Sequence, residues 1–134
     1  MKAADTSVVV AAFASWHENH EAARRELDRG IRLIEHCALE SYSVLTRLPP
    51  PHRSPGPVVR DFIQARFPEP FLRLSAQAYR AFVLGLPEHD IAGGAAYDAL
   101  IAATAAGCGA DLVSCDRRAT AVYESYGVRT RFVV

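Results

Sequence analysis

The chain has 134 residues, half of them hydrophobic, and its fifteen basic side chains balance fifteen acidic ones. That length suits one domain, residues 1–134, around a single core, and the even charge excludes a global field that would pull the protein onto nucleic acid, leaving such binding to a local patch. Three cysteines without a C-x-x-C spacing suggest neither a disulfide framework nor a zinc site, and no apolar run reaches membrane-spanning length, so a cytoplasmic location away from membranes is expected.

In chain order, Lys2 to Asp5 reads as a short buried strand, followed by Thr6-Ser7 and the apolar VVVAAF of a small helix. Asp5 therefore stands at a strand's C-terminal tip, the edge where ligands bind in open α/β sheets. Asp, Thr and Ser are also good N-caps, so capping is the other reading of this trio. Trp16, His20, Ala23 and Leu27 recur at helical spacing and predict an amphipathic helix ended by Gly30. His20 falls on its apolar side, as a packed histidine rather than a ligand.

Ile31 to Ile34 predicts a second strand, and Cys37 to Leu48 a helix with Glu40 in its first turn, where an acid can also serve the helix dipole. The prolines between Leu48 and Pro57 stop that helix and stiffen a loop too short to divide domains. Val58, Val59, Phe62, Ile63 and Phe67 mark another helix, Phe71 to Leu74 a third strand, and Ser75 the cap of a helix whose Tyr79, Phe82, Val83 and Leu86 are core or interface.

Gly93 to Cys108, GGAAYDALIAATAAGC, reads as a helix apolar or small on every face except at Asp98, hence buried. An ionised carboxylate in such surroundings needs a cation or several donors, or its pKa rises until it neutralises. A distant arginine, a role at the helix start, or a metal shared with other acids would each serve. After the Gly107–Gly109 break, Leu112 to Cys115 predicts a buried strand tipped by Asp116, with Ser114 on the same face as Asp116. Arg117 and Arg118 open a last helix that Gly127 ends, and Arg129 to Val134 predicts a fifth, edge strand.

Strands and helices alternate throughout, which predicts a parallel sheet with helices on both faces. Two strand tips and two helix starts would then bring Asp5, Glu40, Asp98 and Asp116 to one edge. Clustered carboxylates repel one another, and a hard cation such as Mg²⁺ or Mn²⁺ resolves this, in a site suited to hydrolytic phosphoryl chemistry.

The order DTSVV at Asp5, ALESYSVLTRL at Glu40, GGAAYDALIAATA at Asp98 and LVSCDRR at Asp116 resembles the PIN-domain nucleases, and looks most like the VapC toxins of bacterial type II toxin–antitoxin pairs. The resemblance runs from first strand to last. It implies a PIN-like three-layer α/β/α sandwich with a mainly parallel sheet of about five short strands, and a Mg²⁺- or Mn²⁺-dependent endoribonuclease. It implies that Asp5 and Asp98 are the main metal ligands and Asp116 a further one. Glu40 would bind metal through water or orient the nucleophile, with Ser114 and Thr6 in support. Arg117 or Arg118 is the candidate for holding the RNA backbone. The implied partners are RNA, a cognate antitoxin and a second copy in a homodimer, and the apolar excess around Phe13 and Trp16 predicts a groove for the antitoxin. A non-catalytic PIN-fold interaction or RNA-binding module is the alternative. A phospho-receiver domain would need a lysine after a late strand, and Lys2 is the one lysine here.

Overall fold

The computed structural model describes residues 1–133. Its elements are β1 (Lys2–Ala4), α1 (Thr6–Phe13), α2 (His20–Asp28), β2 (Arg32–Leu33), α3 (Glu35–Thr46), α4 (Gly56–Arg66), α5 (Ala76–Leu84), α6 (Ala95–Gly107), β3 (Asp111–Ser114), α7 (Thr120–Ser125) and β4 (Thr130–Phe132). The strands form one sheet in the order β2-β1-β3-β4, and every pairing is parallel, with Ala4 opposite Leu33 on one side and Val113 on the other. Parallel strands need covered faces. Accordingly Ala3, Ala4, Leu33, Leu112 and Val113 of the sheet are almost fully buried together with Val8, Val9, Ala102, Ala105 and Tyr123 from the helices. The result is the expected α/β sandwich.

The topology decides where a site can lie. From β1 the chain crosses to β2 on one flank, and the sheet continues through β3 on the other, so the connections diverge beyond the C-terminal ends of β1 and β3. A crevice opens at such a switch point. Asp5 follows β1 and Asp116 follows β3, and the Asp5 amide donates to the Val113 carbonyl at 3.2 Å, which fastens the two tips side by side.

Several sequence expectations need correction. The sheet has four strands rather than about five. Phe71 to Leu74 contributes one parallel bridge, Leu72 to Ile34, with the Leu72 amide donating to the Leu33 carbonyl and the Leu72 carbonyl accepting from the Glu35 amide, both at 2.8 Å. Pro68 and Pro70 lack N–H donors and so stop the ladder from extending. The edge strand is shorter than expected, Thr130–Phe132, and the end of that expectation at Val134 lies outside the described residues. The helix expected from Trp16 starts at His20, and Trp16 stands in the preceding turn with half its surface exposed, its ring 4.3 Å from that of His52 in the proline-rich loop. Helix α5 buries no residue at all, so its aromatic stripe is not core; Phe82 only approaches Tyr126, at 6.0 Å. The last helix begins as a 3₁₀ turn, Arg117–Ala119, before α7.

Capping was read more successfully. Ser75 accepts from the Ala78 amide at 3.1 Å at the start of α5. Gly30 takes φ +88° just past α2, a left-handed turn that favours glycine. Among the described residues, no helix is long and apolar enough to cross a membrane.

Candidate metal and RNA site

Asp5 is the most enclosed of the acids, 2% exposed. It caps α1, accepting from the Val8 amide at 3.3 Å and from Ser7 Oγ on Oδ1, while Tyr123 Oη donates to Oδ2 at 2.9 Å. Both readings of the DTS trio therefore hold at one residue: the carboxylate caps the helix and stands at the strand tip. Burial pushes its pKa up, and the Ser114, Ser7 and Tyr123 hydroxyls together with the Val8 amide pull against that rise.

Ser7 also ties the two strand tips together. Its Oγ accepts from the Cys115 amide at 2.7 Å and lies 3.5 Å from Ser114 Oγ. Ser114, fully buried, accepts from the Asp116 amide at 2.9 Å and so shapes the turn that presents Asp116. Asp116 in turn accepts from the Arg118 amide and from its guanidinium, at 3.0 Å on Oδ1 and 3.2 Å on Oδ2. That bidentate partner holds the Asp116 carboxyl below the usual range. Arg117 points elsewhere, its guanidinium 4.6 Å from the centre of the Phe132 ring on β4.

Asp98 lies in the first turn of α6, half-buried. Its helix is not buried on every face as expected: Ala99, Ile101, Ala102, Thr104 and Ala105 pack inward, whereas Tyr97 is 59% exposed. The small residues let one face of α6 approach the sheet closely without making the whole helix a core element. Burial raises the Asp98 pKa, and the charges of Asp116, Glu40 and Asp5 raise it further, with only Arg118 opposing. Asp98 thus feels the charge of each of the other three acids. Among the described residues, Asp98 forms no side-chain hydrogen bond or salt bridge.

Glu40 is in the second turn of α3 rather than the first, because α3 starts at Glu35, directly after the Ile34 bridge. Its Oε2 is 3.6 Å from His36 Nε2, one helical turn back, and the imidazole beside it holds its carboxyl below the usual range. Thr6 Oγ1, which also lowers the Glu40 pKa, is otherwise a buried hydroxyl without a hydrogen-bond partner. His36, Ser7 and Tyr123 were not singled out from the sequence as site residues. For His36 a signal existed in the i, i+4 spacing to Glu40. For Tyr123 none did, since its partner Asp5 is 118 positions away.

The donor set is hard oxygen throughout, the chemistry that suits Mg²⁺ or Mn²⁺. Among the described residues, however, no three acids, histidines or cysteines already stand together as a ligand set. Asp116 is turned to Arg118 and Glu40 to His36. The residues fit a divalent cation in kind, in the like charges that bear on Asp98 and in the unpartnered Thr6 hydroxyl, and a cation held by all four acids would draw those two side chains from their present partners. Beside Asp116 a cavity of about 340 Å³ opens, lined by Ser7, His17, Asn19, Cys115 and Arg118. The Cys115 thiol is pushed up to about 11 by burial and by Asp5, so it stays protonated and unreactive at neutral pH.

The PIN domain matches residues 3–125. The chain belongs to the PIN-domain family. Ribonuclease VapC40 of Mycobacterium tuberculosis is 50% identical over 133 residues, 99% of each chain, which places this PIN domain in the VapC group. Ribonuclease VapC27 of the same organism is 38% identical over 131 residues, 94% of this chain and 92% of its own. A chain in the crystal structure of FitAcB from Neisseria gonorrhoeae superposes with a TM-score of 0.68, covering 97% of this chain and 96% of that one. At 18% identity that likeness shows a shared fold alone.

A larger groove lies away from the acids, between α3 and α4. About 1120 Å³ in volume, it is lined by Leu39, Tyr42, Ile63, Phe67 and Phe71 among others. Leu39 is 71% exposed there. The apolar surface expected around Phe13 and Trp16 is thus only partly where the sequence placed it: Phe13 packs edge-on against Phe62 at 5.3 Å, and neither Phe13 nor Trp16 lines the groove between α3 and α4.

Proposed function

We propose that this protein is the ribonuclease toxin of a toxin–antitoxin pair and hydrolyses RNA phosphodiester bonds at a divalent-cation site made by Asp5, Glu40, Asp98 and Asp116. The observation that carries this reading is Asp98: half-buried, raised by the charges of three other acids, and without a salt bridge among the described residues. The near full-length likeness to two VapC ribonucleases supports the same chemistry.

Asp5 and Asp98 would hold the cation, with Asp116 completing the set and Glu40 orienting the attacking water. When bound, a Mg²⁺ or Mn²⁺ ion supplies Lewis-acid activation of water and neutralises charge that develops on the phosphate. Tyr123, Ser7 and the Val8 amide fix the direction of the Asp5 carboxylate, so its geometry is set before any ligand arrives. Arg118, once freed from Asp116, is placed to contact an RNA phosphate, whereas Arg117 is committed to Phe132. An antitoxin segment with apolar side chains would cover the groove between α3 and α4. Homodimerisation and a cytoplasmic location belong to the same proposal.

Incubation of purified protein with labelled RNA in EDTA, Mg²⁺ or Mn²⁺ tests it. Cleavage should require a cation and vanish in Asp98→Asn. Binding of RNA without cleavage in either cation would instead establish the non-catalytic module.

A further inference from the structure

We infer that Tyr97, backed by His36, is a platform on which an unpaired nucleobase of the substrate stacks beside the carboxylates. This rests on the ribonuclease reading above and adds a binding subsite to it.

Tyr97 immediately precedes Asp98 on α6 and is 59% exposed, in a helix whose other residues are mostly small or buried. An exposed tyrosine is ordinarily free to sample rotamers. This ring is instead laid parallel to the His36 imidazole, with centroids 5.4 Å apart and planes 9° from parallel. His36 is itself mostly enclosed, its side chain 21% exposed, and stands 3.6 Å from Glu40. One face of Tyr97 is therefore backed by a ring seated beside Glu40, while more than half of the residue's surface stays open.

The chemistry of the rim favours a base over a phosphate at this position. Four acids make the crevice negative, and the nearby guanidinium of Arg118 is on the Asp116 side. A flat, uncharged ring attracts a nucleobase through its π face without needing charge complementarity, and every base presents such a face once it is out of a duplex. Stacking at Tyr97 would hold the nucleotide next to the one being cut and so position its phosphate over Asp98.

Two measurements on wild type, Tyr97→Phe, Tyr97→Trp and Tyr97→Ala test this, each protein first checked for unchanged melting and its oligomeric state recorded. The first is quenching of 2-aminopurine in a short single-stranded oligoribonucleotide, in EDTA and in Mg²⁺. The second is kcat and KM for cleavage of a labelled single-stranded RNA across a salt series. Tyr97→Ala should abolish the quench and raise KM by about ten- to a hundredfold with kcat within about twofold. Phe and Trp should restore both. Because stacking releases no counterions, the slope of log KM against log salt should be the same for Tyr97→Ala as for wild type. Wild-type KM in Tyr97→Ala, a changed salt slope, or failure of Phe to restore binding would each overturn the platform. So would an oligomer that falls apart in Tyr97→Ala while KM is unchanged, which would assign the ring to a protein contact. If wild type neither cleaves nor binds RNA, the ribonuclease reading itself has failed; if wild type cleaves and only these signatures are missing, the platform alone is wrong.

Discussion

Glu26 and Asp98 are acids set among apolar neighbours, and the molecule treats them in opposite ways. Glu26, on α2, is 3% exposed and meets three cations: Arg131 at 2.6 Å, Lys2 at 3.2 Å and Arg29 at 4.0 Å. The Arg131 hydrogen bond holds its carboxyl below the usual range despite burial. Asp98 is less buried yet has the opposite shift: burial raises it, the charges of Asp116, Glu40 and Asp5 raise it further, and Arg118 alone opposes them. A carboxylate that serves the fold is thus supplied with its cations by the chain. On the proposed function, Asp98 serves a ligand and is left short of them, and the missing charge would become the affinity of the site.

The largest effect that would test this contrast is on cleavage. Asp98→Asn should lower it by about a hundredfold or more, the scale on which a positioned charge acts in catalysis. Its stability in EDTA should equal or exceed wild type, since one of several like charges is removed and no hydrogen bond is lost. A mutant that melts far below wild type in EDTA would erase the distinction from Glu26.

Next in size is Glu26→Gln. Breaking a buried pair costs about 3 to 5 kcal/mol, and the exposed side chains of Arg29 and Arg131 reduce this to about 2 to 3 kcal/mol by solvent screening. Urea denaturation should show that loss at pH 7, with cleavage per folded molecule unchanged. Because the folded pKa of Glu26 is lowered, its contribution is present above the ordinary glutamate value and is lost as pH falls through the folded one. The gap between mutant and wild type should therefore close in acid. A gap that widens there would contradict the ion-pair account.

Tyr123→Phe sharpens the other side of the comparison, by removing one of the donors that oppose the rise in the Asp5 pKa. About 1 to 2 kcal/mol of stability should go with the hydroxyl in EDTA at pH 8. Equal stability would mean that Asp5 does not depend on it.

The smallest effect expected is a difference of a few degrees in the Mg²⁺ response. Asp5 and Asp98 have raised folded pKa values, so what protonation contributes to stability is present below the ordinary aspartate value and is lost as pH rises through the raised ones. On the proposed function, a cation would relieve the repulsion among these acids at high pH, where protons no longer compete for them. Mg²⁺ should raise the melting midpoint more at pH 8 than at pH 5. An equal rise at both would place the cation away from these two acids.

The half of this contrast that concerns Asp98 was legible in the sequence, because a single charge inside an apolar periodic stretch is visible without coordinates. The order of the four acids, the parallel alternation and the tips of β1 and β3 were readable for the same reason. Glu26 was not, since its partners Lys2 and Arg131 lie 24 and 105 positions away, and an acid on an amphipathic helix looks solvated until the fold closes over it. Glu40 was assigned to a first turn because the helix start was set at Cys37; the Ile34–Leu72 bridge fixes the true start at Glu35. Phe71 to Leu74 has strand composition, but the prolines around it decide the hydrogen bonding. On α5, periodicity showed an apolar stripe without showing whether anything covers it.

That uncovered helix bears on how the molecule breathes. Ala76–Leu84 buries no side chain, with Tyr79, Val83 and Leu84 all substantially exposed. Little cohesion is lost when such a segment detaches, so it can open by itself while the sheet stays closed. Its backbone amides should exchange with deuterium well ahead of those in β1 and β3, and a protease meeting the free protein would find its first foothold there.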